Sequence, residues 1–99
     1  MSVNPAVRIC VNHEPYDVYC GRAGHGEDGY FGNPFRVGPD GSRNEVIAKH
    51  RSYFHARLRW DPAFLQRVLA LRGKRLGCFC VPQLSCHVDN IVEYLNGVG

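Results

Sequence analysis

The chain has 99 residues, a formal net charge of +3, 44% apolar and 21% charged side chains. That length suffices for one compact core and not for two, and the composition is far from that of charge-rich disordered chains, so one folded domain over residues 1–99 is expected. No stretch reaches the ~20 apolar residues that span a bilayer, and Met1-Ser2-Val3-Asn4-Pro5 lacks the basic-then-apolar pattern of a secretory signal, which predicts a cytoplasmic protein with no membrane partner.

Val7 to Val11 alternates apolar and polar side chains and reads as a strand, and Asp17 to Cys20 is a second run of β-formers after the turn-prone Asn12-His13-Glu14-Pro15. A glycine-rich segment follows, carrying Gly24, Gly26, Gly29, Gly32, Gly38 and Gly41. A loop that long in so small a domain points to function, and Tyr30, Phe31 and Phe35 within it point to order.

Ser42-Arg43-Asn44-Glu45 is a capping box that starts a helix near 43–58. Val46, Ile47, His50, Tyr53, Phe54 and Leu58 form its apolar stripe, which gives His50 a packing role. Asp61-Pro62 starts a second helix near 62–72, with Gly73 as its stop. Residues 74–80 read as a strand that places Leu76, Cys78 and Cys80 on one face. The last helix starts near Ser85 and covers about 86–96, with Val88, Ile91, Val92 and Leu95 inward. The sum is an α/β domain: one small mixed sheet, with strands near 7–11, 17–20 and 74–80, covered by three helices. In open α/β sheets ligands sit beyond the carboxyl ends of strands, which is where Gly21-Arg22 and the residues after Cys78 would lie if the strands run parallel.

The five cysteines are an odd number, and three of them crowd between positions 78 and 86. In a reducing compartment that pattern favours a metal or reactive site over disulfide staples. Cys10 and Cys20 end apolar runs and read as small buried hydrophobes. The twelve Lys and Arg are spread along the chain, so a nucleic-acid partner is open but not indicated.

Tyr16-Asp17-Val18-Tyr19 with Gly21-Arg22, then Gly32-Asn33-Pro34-Phe35, then Leu71 to Cys80 with Pro82 and Cys86-His87-Val88-Asp89 together resemble a family of small phage and bacterial proteins classed as a domain of unknown function. The resemblance covers about positions 15–95 and implies a single small domain with its shared residues gathered in a GR…GNPF motif and an LGCxCxP…CHxD motif. It implies no reaction. The loop before GNPF is longer here than in the family, which leaves His25, Glu27 and Asp28 outside the shared pattern.

Three readings of the chemistry stand side by side. In the first, a ligand crevice takes a nucleotide-like or other anionic small molecule: Arg22 and the backbone around Gly32, Asn33, Pro34 and Phe35 hold it, and Phe35 or Tyr30 stacks on a base. Cys86, at a helix N-terminus that favours a thiolate, supplies catalysis with His87 or Asp89. In the second, Cys78, Cys80, Cys86 and His87 are the Cys₃His set that zinc favours. Its difficulty is that Cys86 and His87, adjacent on a helical turn, diverge by roughly 100° unless the turn is irregular. In the third, the chain is a nucleic-acid or protein interaction module with no site of its own, and the cysteines are packing residues.

Overall fold

The computed structural model describes residues 5–12, 14–22, 24, 26–79, 84 and 86–97. Among these, strands β1 (Val7–Cys10) and β2 (Val18–Tyr19) precede helices α1 (Arg43–Trp60) and α2 (Pro62–Leu69), then strand β3 (Arg75–Cys78) and helix α3 (His87–Gly97). The α/β class and the three helices are as the sequence predicts. The sheet is wholly parallel where a mixed one was expected: β3 lies between β1 and β2 and pairs in parallel with both, Cys10 opposite Cys78 and Tyr19 opposite Gly77. Central strands of parallel sheets are buried on both faces, and in β3 Leu76, Gly77 and Cys78 are all buried.

The two faces are covered differently. Leu76 and Cys78 enter one apolar cluster with Phe54 and Leu58 of α1, Phe64 and Val68 of α2, and Val88, Ile91 and Leu95 of α3. On the opposite face the β1–β2 link crosses the sheet over Gly77, where a Cβ would stand 2.7 Å from the Tyr16 ring and 2.8 Å from Val11. Only glycine admits so close a crossing.

The helix boundaries follow their capping chemistry. Ser42 Oγ accepts from the Glu45 N–H at 3.2 Å while Glu45 Oε1 accepts from the Ser42 N–H at 3.0 Å, which closes the box read from the sequence. Asp61 ends α1 and caps α2, its Oδ1 accepting from the Phe64 N–H at 3.1 Å. That helix stops at Leu69, three residues short of expectation, because Leu71 and Arg72 turn back to Val68 and Leu69 before Gly73 takes a positive φ of 73°. The third strand ends at Cys78, so Phe79 stands outside it. Ser85, the expected helix start, and the motif residues Cys80 and Pro82 lie outside the described residues, as does His25. Among the described residues no helix is long and apolar enough to cross a membrane.

Candidate functional site

The carboxyl ends of β2 and β3 open onto a cavity of about 590 Å³. Four segments reach it: Tyr19, Gly21 and Arg22 after β2; Asn33, Arg36 and Val37 in the glycine-rich loop; Arg43, Val46 and Ile47 in the first turns of α1; and Cys78, Phe79, Leu84, Cys86 and His87 from the end of β3 to the start of α3. The two sequence motifs therefore form one site, at the position where parallel α/β sheets place their ligands. Among the described residues that line it, three are arginines and none is acidic.

Arg22 reaches across the loop and donates to the carbonyls of Asn33 and Phe35. It lines the cavity, and its first task is to brace the loop. Asn33 is buried; its Oδ1 accepts from the Phe35 N–H at 2.9 Å and its Nδ2 donates to the Val46 carbonyl at 3.3 Å. That is an Asx turn tied to α1, and the residue lines the cavity as well. Gly32 gives its N–H to the Gly29 carbonyl at 2.8 Å, and a Cβ on it would stand 2.9 Å from the Gly21 carbonyl oxygen; its part is close backbone approach. Pro34 is exposed. Phe35 packs edge-on to Tyr53 at 6.3 Å, and Tyr30 lies against Phe31 and Phe64 beneath the Arg67 guanidinium. Neither aromatic lines the cavity. Tyr19 and the half-exposed Phe79, ring centroids 5.8 Å apart, line it instead.

The opposite wall carries the sulfur and imidazole groups. Cys78 and Cys86 bring their Sγ atoms to 3.4 Å. Because Cys86 precedes the first helical residue and His87 opens the helix, the two side chains converge where a regular turn would splay them: both are buried, with Sγ 3.7 Å from His87 Nδ1. The Cys20 carbonyl lies 2.7 Å from His87 Nε2. A carbonyl only accepts, so Nε2 carries a hydrogen, which in the neutral ring leaves Nδ1 as the acceptor on the side of Cys86. Asp89, the other candidate helper, faces elsewhere. Its Oδ2 accepts from the Cys86 N–H at 3.0 Å and pairs with Arg8 at 3.2 Å, which caps α3 and pins its start to β1.

His50 lies beneath this wall. Its ring is stacked on Phe54, 5.1 Å from the His87 centroid, and Nδ1 accepts from Asn90 Nδ2 at 3.0 Å. Burial, with His87 and then His55 nearby, pushes its pKa down to about 3. The packing role expected from the stripe holds, with a neutral imidazole fixed under His87. Burial and the neighbouring Cys78 push the Cys20 thiol up to about 12, which suits the inert buried role expected for it.

Among the described residues no three His, Cys, Asp or Glu side chains group so as to hold a metal. Cys80, the fourth candidate zinc ligand, lies outside the described residues.

The sequence reading did not single out the lining residues Arg36, Arg43 and Phe79, and it placed Tyr19 in a motif without a part in the crevice. The two arginines carry no local signal beyond charge, and Phe79 reads from the sequence as lying inside the strand, which ends one residue before it.

An α/β domain with a basic, thiol-walled cavity at its strand ends is the class that fold and site define. The chain belongs to the family described as a domain of unknown function, DUF4326, whose model matches residues 5–97. No curated protein and no solved structure matches it.

Proposed function

We propose that the cavity binds a small anionic molecule of the nucleotide class, with phosphate on Arg36 and Arg43, an aromatic base against Phe79 and Tyr19, and Cys86 with His87 as the reactive pair at its inner wall. The observation that carries this reading is the lining itself: arginines from three separate segments meet on one cavity with no carboxylate among its described residues. Charge-assisted contacts from guanidinium groups suit phosphate oxygens, and a volume of about 590 Å³ falls in the range of small-molecule sites. Desolvation inside such a cavity strengthens each contact.

The inner wall adds what thiol chemistry needs: a sulfur nucleophile, a proton acceptor 3.7 Å away and a fixed tautomer. Cys86 is the attacking group in this reading, and His87 takes its proton.

Calorimetry with a panel of purine and pyrimidine nucleoside 5′-monophosphates, the matching nucleosides and inorganic phosphate tests the proposal. At least one monophosphate binds, its nucleoside binds at least ~10-fold more weakly, and Arg36→Ala or Arg43→Ala removes that difference, since a hydrogen bond to a charged group contributes about 1.5–3 kcal/mol. No binding by any member of the panel, or binding that both arginine variants leave unchanged, overturns it.

A further inference from the structure

Beyond anion binding, and without resting on it, we propose that Cys78 and Cys86 form a dithiol redox centre that reduces a hydroperoxide and closes to an intramolecular disulfide. Four thiols are described in the chain, and the environments separate them. Cys10 and Cys20 are buried and do not line the cavity, whereas Cys78 and Cys86 both line it, with sulfurs 3.4 Å apart. Closing from that separation to a bond of about 2.05 Å needs a movement of about 1.4 Å between the end of β3 and the residue before α3. The cavity gives a small oxidant a route to sulfurs that are otherwise buried.

The step balances with the hydroperoxide as oxidant. His87 Nδ1 accepts the Cys86 proton, and the thiolate attacks the near peroxide oxygen. The O–O bond breaks, the leaving alkoxide or hydroxide takes that proton from His87, and Cys86 becomes a sulfenic acid. Cys78, having given up its own proton, then attacks the Cys86 sulfur. The S–S bond forms, the S–O bond breaks, and the departing hydroxide takes the Cys78 proton to leave as water. Two thiols lose two electrons and two protons, and the peroxide gains them. His87 serves both proton movements because the Cys20 carbonyl holds its other nitrogen as the donor. Cys20 does not compete: its thiol is pushed up to about 12 and it packs wholly in the core.

The test treats the whole chain with one equivalent of hydrogen peroxide, followed by thiol counting in denaturant, intact mass and peptide mapping. The expected result is loss of two of the five thiols, a mass decrease of about 2 Da from the two hydrogens removed on disulfide formation, a Cys78–Cys86 cross-linked peptide, and full reversal by dithiothreitol. In Cys78→Ser the reaction stops at a Cys86 sulfenic acid that a cyclic diketone captures, and in Cys86→Ser neither disulfide nor adduct forms. Peptide mapping of the wild-type chain needs no variant, so a folding defect in either serine variant leaves the test intact. A Cys80–Cys86 link, a link through Cys20, or five thiols intact after peroxide each overturn the proposal.

Discussion

The loop wall of the cavity and its sulfur wall use polar side chains in opposite ways. In the loop wall Arg22 and Asn33 hold the Asn33 and Phe35 carbonyls, the Phe35 N–H and the Val46 carbonyl, so the most motif-like residues there maintain a backbone shape. In the sulfur wall Cys78, Cys86 and His87 meet at 3.4 and 3.7 Å while the capping of α3 falls to Asp89. Polar side chains on one wall thus maintain a backbone shape, while on the other they pack against one another at the cavity surface. Arg36 and Arg43 also line the cavity from the loop side and the first turn of α1.

The contrast can be broken from either wall, and the largest effect is on acid stability. His50 is held neutral, its pKa pushed down to about 3 from an ordinary 6.5, so below pH 6.5 the unfolded chain binds a proton that the native chain refuses. The stability this group contributes is complete above about 6.5 and is lost as pH falls toward 3, at up to about 1.4 kcal/mol per pH unit. Urea titrations across that window should show the slope, and His50→Gln should flatten it. An unchanged slope would remove the neutral histidine from beneath the sulfur wall.

Next comes Asn33→Ala, expected to cost about 2–3 kcal/mol, because the Val46 carbonyl and Phe35 N–H each lose a partner near the core. Arg36→Ala, at an exposed position, should stay within about 0.5 kcal/mol. If urea midpoints put the two variants in the reverse order, the loop wall is not the structural one. A smaller change is expected at Phe79, half exposed beside Tyr19. Replacing it with alanine should weaken a base-bearing ligand several-fold by calorimetry, since base stacking on an aromatic contributes about 1–3 kcal/mol, and leave inorganic phosphate binding unaltered. The smallest effect is a negative one: Cys20 should resist iodoacetamide in the folded protein at pH 8, given a thiol pushed up to about 12; rapid Cys20 labelling by mass spectrometry would contradict its burial.

The pattern of what could be read from the sequence follows from the range of the interactions. The capping box at Ser42 and Glu45 and the Asp61-Pro62 start are local and were legible as written. The sheet order was not, because β1 and β2 are neighbours in the chain yet each pairs only with β3, and the crossing over Gly77 that permits this is visible only as one small residue. That Cys78, Cys86 and His87 lie along one crevice wall was legible from residue type and density. Their convergence was not, since it depends on Cys86 lying just before the helix rather than in it. Asn33 illustrates the same limit: its side chain ties the Phe35 N–H to the Val46 carbonyl of α1, a link between segments that residue type alone does not announce.

The central claim, one anion site joining both motifs, is tested most directly by amide and side-chain chemical-shift mapping while the tightest-binding nucleoside monophosphate is titrated in. The account predicts saturating shifts at Arg36, Arg43, Phe79 and His87 together, from segments far apart in the chain, with little change at Tyr30 and Phe64 on the other side of the core. Shifts confined to one motif, or none at saturating nucleotide, would contradict it.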